Sequence, residues 1–412
     1  MGRGYSSRGR GKPPARAVTV NGHSAGWLAR GFCWVYPNEV TARPKGLKPG
    51  AVVPLTGPQD QDLGTGIWDT GWIAVRRFRT VEGPLDAAWL ADRVARAQAL
   101  RDDVVDPETT AYRVINAEND GLPGIRVDRY GWVLVVTLDS PSLLPLLDPL
   151  ADALEARFSP RAVYLAWRPD PRDKGWQTDR EPGLIRGRAP TGDVPVTERG
   201  VAARVRPGDG KDIGLYCDVR ELRAWLEPHW GGRTVLNLFA HTGFFSVAAA
   251  FHGAAHTTSV DLSPHFLERA EENFRANQLD PSQHDFYAED VRRFLDRARR
   301  KGERFSRIVL DPPAFAHGPE GALSTKKSYA SLVAACLRVL EPNGWLVAVL
   351  NQGIVSPRDF HGMIADGAKR AGRPLQLIHE AHQAGDFPAL LSFPEGRYLK
   401  AGVWRSVGAG SG

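Results

Sequence analysis

Four clusters in the second half of the chain hold residues whose types and spacing suit chemistry on a nucleoside. Ala240-His-Thr-Gly243 follows an apolar run, Arg233-Thr-Val-Leu-Asn-Leu-Phe239. A tight strand-to-helix turn of this kind points backbone N–H groups and the helix dipole at a ligand. Asp261 comes about eighteen residues past Gly243, after the apolar stretch Thr257 to Val260. A carboxylate at that spacing suits the two hydroxyls of a ribose. A further acid stands in Ala288-Glu-Asp290, and Arg307-Ile-Val-Leu310 then delivers Asp311-Pro-Pro-Ala-Phe315. Two prolines directly after a buried strand cannot continue the ladder, so they fix a rigid turn that aims a carboxylate and an aromatic ring outward. The single glycine is common in α/β turns, and Asp261 competes with Ser263 as a simple helix cap. The Asp-Pro-Pro-Ala-Phe tip is far more specific, and the order of all four is more specific still.

The elements that must position these residues read as parallel strands alternating with helices. Arg233–Phe239, Thr257–Val260, Arg307–Leu310 and Trp345–Leu350 are short and apolar, as strands covered on both faces are. Phe244–Phe251 reads as the helix opened by the glycine turn, and Ser263-Pro-His-Phe starts another. This succession points to an α/β domain that uses S-adenosylmethionine to methylate its substrate. Asp261 is expected at the ribose, Asp290 at the adenine amino group, and the backbone from Phe239 to Gly243 along the methionine part. Asn237, Thr242, Leu262 and Val291 complete the expected cofactor contacts, with Asp311 at the reacting end. A nicotinamide-dependent dehydrogenase would share the ribose acid, but the full glycine fingerprint is missing and Asp311-Pro-Pro-Ala-Phe315 would have no purpose in it.

Beyond this core the chain resembles the bacterial large-subunit ribosomal RNA cytosine-C5 methyltransferases. The resemblance rests on Gly31-Phe-Cys-Trp-Val-Tyr-Pro-Asn-Glu39, the stretch Asn116 to Tyr130, Gly214-Leu-Tyr-Cys-Asp-Val-Arg220, the core above, and Leu391 to Lys400. It covers nearly everything after the first fifteen or so residues. It implies a small β-rich PUA-like domain, an α+β central domain and a class I, Rossmann-like methyltransferase domain with a seven-stranded sheet. The corresponding expectation is a basic tail over 1–17, the PUA-like domain over 18–82, the central domain over 83–207 and the methyltransferase domain over 208–412. The resemblance also places Tyr216 and Arg220 beside the cofactor, and it implies an RNA partner. At position 219 the family usually has glutamine; here it is Val219.

Composition agrees with such a protein. The 412 residues are 42% hydrophobic and 24% charged, which is ordinary for a globular chain, and the formal net charge of +6 favours a polyanionic partner. Cys33, Cys217 and Cys336 are widely spaced and odd in number, which argues against a disulfide framework. No apolar run is long enough to span a membrane and no apolar segment follows the basic start, so a cytoplasmic location is expected, with monomer and homodimer both open. Nothing in the sequence suggests a metal site. Met1 to Arg16 carries Arg3, Arg8, Arg10, Lys12 and Arg16 without an acid and reads as a flexible tail suited to phosphate. Short strands at Val18–Val20, Trp34–Tyr36, Ala51–Val53 and Trp72–Val75 form the β-rich module, with Lys45, Lys48, Arg76, Arg77 and Arg79 able to line an RNA face. Asp86–Arg101 reads as an amphipathic helix. Arg168 to Arg188 reads as a loop whose basic residues flank Trp176, a pattern that suits single-stranded nucleic acid.

One departure bears on the reaction. Carbon 5 of cytosine is a poor nucleophile, and enzymes that methylate it first add a cysteine thiolate to carbon 6. In the resembled family that cysteine follows the fifth strand. Aligned through Leu346-Val347 and Val355-Ser-Pro357, the position here is Asn351, in Val349-Leu-Asn-Gln-Gly353. An exocyclic amine needs no covalent step. Asp311 and the Pro312 carbonyl can accept its N–H bonds, Phe315 can stack on an extruded base, and Pro313, Asn351 and Gln352 are placed to contact the base. The expectation is therefore an RNA-base methyltransferase, amine methylation ahead of carbon methylation. The alternative is an inactive protein that binds cofactor and RNA.

Overall fold

A computed structural model describes residues 17–170, 172–173, 177–208, 213–313 and 321–407. Strand pairing divides these residues into sheets of six, five, two and seven strands. The six-stranded sheet holds residues 18–79 and encloses a small core of Val18, Leu28, Val35, Leu55 and Trp68. The strand expected at Trp72–Val75 lies instead at Val75–Arg79. Asp69 explains the difference: its Oδ1 accepts from Thr70 N at 2.7 Å and Gly71 N at 3.2 Å, folding this segment into a turn. Arg76 and Arg77 do not line a surface. Arg76 is buried against Asp69, Arg77 donates to the carbonyl of Phe32 at 2.9 Å, and Arg79 donates to that of Pro84 at 2.9 Å.

The five-stranded sheet, Ala111–Asn116, Ile125–Tyr130, Val133–Leu138, Ala162–Trp167 and Gly183–Gly187, is covered by helices Ala87–Val104 and Leu147–Phe158. The last strand falls inside the segment expected to be a loop. A hairpin of Val194–Glu198 and Val201–Val205 follows. It lies on the helix Pro264–Ala276: Asn273 and Asn277 accept from Arg204 N and Ala202 N, each at 2.8 Å.

The seven-stranded sheet carries the site. Its order is Asp285–Ala288, His256–Asp261, Thr234–Leu238, Phe305–Leu310, Leu340–Asn351, Leu399–Ser406, Leu375–Ala381. The first five are mutually parallel and Leu399–Ser406 runs against its neighbours. Such strands are covered on both faces, which is why they read as unbroken apolar runs. One face packs on Val291–Lys301, Gly321–Val339 and Pro357–Ala371, the other on Phe244–Phe251 and Arg220–Leu226. The helix before Leu340 begins at Gly321, earlier than the expected Ser328. Strand order reverses between Thr234–Leu238 and Phe305–Leu310, and a crevice opens beyond the carboxyl ends of strands at such a point.

The domains are bound together by buried polar groups. Asp386 is fully buried; it pairs with Arg220, accepts from Arg113 N at 2.8 Å, and its carbonyl accepts from Arg101 at 2.7 Å. Phe393 sits between Phe32 and Trp34, ring centroids 5.7 and 4.8 Å away, and docks the first domain onto the third.

Candidate active site

The glycine turn follows Thr234–Leu238 at the switch point. Phe239, His241 and Gly243 all adopt positive φ, +59°, +50° and +70°. Gly243 is required twice over, because a Cβ there would also sit 2.6 Å from the Cβ of Ala270. Asp261 locks this turn to the next strand: its Oδ2 accepts from His241 N at 2.8 Å and its Oδ1 from Ser263 N at 2.9 Å. Ser263, not Asp261, caps helix Pro264–Ala276. A carboxylate has about four acceptor sites, so both oxygens keep capacity for ribose hydroxyls. Leu262 beside it is 75% exposed, and the Tyr216 ring, 54% exposed, lies 5.2 Å from the His241 ring. The Tyr216 carbonyl is held at 2.8 Å by Arg223, itself paired with Glu198 at 2.6 Å.

Other residues expected at the cofactor have structural partners of their own. Asn237 is buried and donates to Ser246 Oγ at 3.1 Å, which lies 2.7 Å from Ser259 Oγ; its side chain joins strand to helix. Thr242 is buried and donates to the Gly214 carbonyl. Asp290 caps helix Val291–Lys301 through Oδ1, with Arg292 N at 3.0 Å and Arg293 N at 3.1 Å, while Val291 points into the core. Arg220 is turned into its buried pair with Asp386, a partner that sequence spacing could not reveal.

Asp311 lies at the end of Phe305–Leu310. Burial, with repulsion from Asp218 adding to it, pushes its carboxyl up to about 7. Pro312 is buried and Pro313 exposed, whereas Phe315 lies outside the described residues. Asp218, from the segment Cys217–Val219, accepts from the Tyr398 hydroxyl at 3.0 Å. Asn351 ends the adjacent strand, exposed and opposite Leu399. Sequence reasoning missed Lys400, which is 5% exposed and donates to the carbonyls of Gln352 and, at 3.0 Å, of Tyr398. Burial lowers its ammonium to about 8. A lysine inside Leu399-Lys-Ala-Gly-Val-Trp404 was the available signal, as was Asp218 within the Tyr216-Cys-Asp-Val-Arg220 stretch. All three cysteines are buried, and burial pushes the Cys217 thiol well above its usual range. Among the described residues no group of side chains could hold a metal, and no helix is long and apolar enough to cross a membrane.

Comparison with known proteins agrees with this geometry. The S-adenosylmethionine-dependent methyltransferase family matches residues 181–399, and the PUA-like domain family matches residues 18–80. The chain is 35% identical to ribosomal RNA large subunit methyltransferase I of Shewanella denitrificans over 92% of this chain and 96% of that one. It is 31% identical to the protein of the same name from Salmonella arizonae, over 90% and 93%. Among solved structures it is similar to SMU.776 complexed with SAH, with a TM-score of 0.83, 25% identity, and coverage of 94% of this chain and 99% of that one. The turn, the strand-tip carboxylate and the PUA-like domain ahead of them thus have one explanation: the chain belongs to the S-adenosylmethionine-dependent methyltransferases, in the branch whose curated relatives are the ribosomal RNA large subunit methyltransferases I.

Proposed function

We propose that the protein methylates a base of ribosomal RNA, and that the acceptor is an exocyclic amine rather than carbon 5 of cytosine. The observation that carries the second half is the end of strand Leu340–Asn351, which presents Asn351 and no thiol, while Cys33, Cys217 and Cys336 are all buried elsewhere. An amide nitrogen has its lone pair delocalised and cannot add to a pyrimidine carbon. The names of the curated relatives support ribosomal RNA as the substrate.

S-adenosylmethionine, when bound, supplies an electrophilic methyl group. Asp261 would hold the ribose, Tyr216 and Leu262 would flank the nucleoside, and the open oxygen of Asp290 would take the adenine amino group. At the reacting end Asp311 and the Pro312 carbonyl would accept the N–H groups of the target amine, fixing its nitrogen for in-line attack. With the methyl–sulfur bond breaking to leave the thioether as the C–N bond forms, the amine would have to shed a proton, and a carboxylate that titrates near neutrality is matched to receive it. Asn351 and Gln352 would read the edge of the base.

RNA containing 5-fluorocytosine tests this reading, because cysteine enzymes that attack carbon 6 are trapped on it as denaturant-stable adducts. The expected result is no adduct, together with methyl transfer to an exocyclic amine found by mass spectrometry of the nucleosides. An adduct mapping to Cys217 would restore carbon-5 chemistry. The absence of both adduct and transfer would favour a protein that only binds.

A further inference from the structure

The central sheet places a row of charge opposite the candidate active site. Arg113 stands opposite Asp128, Arg126 opposite Thr137, and Thr137 opposite Ala166. Since side chains alternate along a strand, Arg113, Arg126, Asp128, Asp139 and Arg168 share one face. The same face continues into Tyr130, Val133, Val135 and Tyr164, which pack against Leu215, Cys217 and Phe244 of the methyltransferase domain. Its apolar half is therefore the domain interface, and its charged half lies within electrostatic reach of Asp218 and Tyr398.

Within this row the pairing is unequal. Arg113 meets Asp128 at 2.6 Å, and Arg126 is paired with Asp139. Glu118, nearby, accepts instead from Trp34 Nε1 and Gly124 N, each at 3.0 Å. Arg168 follows the last residue of its strand and its own N–H is fixed on the Leu138 carbonyl at 3.0 Å. Arg168 as a residue is exposed and has no carboxylate partner among the described residues. Repulsion from Arg126 holds its guanidinium below the usual arginine range. Tyr398 is common to both sides of the cleft: its ring oxygen is in the field of Arg113 and Arg168 and donates to Asp218, the aspartate that raises Asp311. An unpaired fork of donors backed by two further guanidinium groups suits an anion with two oxygens to offer, and a phosphodiester is such a group.

Accepting that the substrate is RNA, as proposed above, we infer that Arg168, backed by Arg126 and Arg113, binds a backbone phosphate of the strand whose base enters at Asp311. The contact fixes the register of the strand and carries no sequence information.

The test uses the full chain as wild type, Arg168→Ala, Arg168→Gln and Arg168→Lys, with deproteinised large-subunit ribosomal RNA as the probe. Filter binding is measured across potassium chloride concentrations, and SAH affinity by calorimetry. Loss of one phosphate contact lowers the slope of log K against log salt by about 1. The alanine and glutamine variants should show that loss, bind RNA roughly tenfold more weakly near physiological salt, and raise KM for RNA more than they lower kcat. The lysine variant should keep the slope, and SAH affinity should not move. An unchanged slope and affinity in both neutral variants, each melting as the wild type does, would overturn the inference. So would a fall in SAH affinity, which would place the arginine at the cofactor. A wild type that does not bind this RNA at all would overturn the RNA reading and this inference with it.

Discussion

Replacing Asp311 with asparagine should stabilise the protein and inactivate it, and the size of the first effect can be worked from the structure. The Asp311 carboxyl titrates at about 7 in the folded chain against 3.8 for the ordinary side chain, chiefly because burial disfavours its charged form. A raised folded value means that the native state holds its proton more tightly than the unfolded state. Stability is therefore unaffected below about pH 4, falls as pH rises from there to about 7, and is level above. Each tenfold change in proton affinity corresponds to about 1.4 kcal/mol, so the full span comes to about 4 kcal/mol. Asp311 keeps some solvent contact, which trims the penalty to about 2–4 kcal/mol. Asparagine is nearly isosteric with the protonated acid and cannot ionise. Melting temperatures of wild type and Asp311→Asn should therefore coincide near pH 4.5 and diverge at pH 8.5, the variant higher by roughly 5–10 °C. Because both proteins share every other titrating group, the difference between their pH profiles isolates Asp311. Wild-type kcat/KM should rise with pH through an apparent pKa about 7, while the variant should lose on the order of 10²-fold or more at every pH. Parallel stability profiles, or a variant with near wild-type turnover, would refute the reasoning.

Two other perturbations address the cofactor and the scaffold. Asp261→Ala should weaken SAH binding about tenfold or more by calorimetry, since it removes charge-assisted bonds to a ribose together with the bond that holds His241 N; unchanged affinity in the folded variant would contradict the assignment. Asp386→Ala leaves Arg220 buried without its partner, and breaking such a pair costs about 3–5 kcal/mol; scanning calorimetry should show the central and methyltransferase domains melting together at a much lower temperature or separately.

What the sequence disclosed follows from which interactions are local. Parallel strands covered on both faces leave contiguous apolar runs, so Thr234–Leu238, His256–Asp261 and Phe305–Leu310 were readable within a residue or two. Phe244–Phe251 was read with its observed bounds, because the glycine turn fixes where it starts. The hairpin Val194–Val205 escaped notice because Pro195 interrupts its first strand and its partners, Asn273 and Asn277, lie some seventy residues away. The same distance limit explains Arg77 and Arg220, whereas Arg76 was hidden by the turn at Asp69, seven residues before it, that the expected strand left out. A basic residue on a β-rich segment reads as surface until its acid is found, and Arg220 finds Asp386 166 residues later. At the site, Asp261 and Asp311 were legible from their positions at strand tips. Lys400 and Asp218 were not, because their roles arise only when Leu399–Ser406 is laid antiparallel beside Leu340–Asn351.

The buried position of Asp386 also sets a clock on biosynthesis. The Arg113 N–H is 273 residues upstream of the carboxylate that receives it. At about 5–20 residues per second, the ribosome needs on the order of 15–55 s to cover that distance. Late in that interval the central sheet stands outside the exit tunnel with Arg101, Arg113 and Arg220 facing no Asp386, and Phe32 and Trp34 wait longer still, about 360 residues, for Phe393. Three domains that look successive along the chain are therefore completed almost together, by the arrival of the one short loop that carries Asp386 and Phe393.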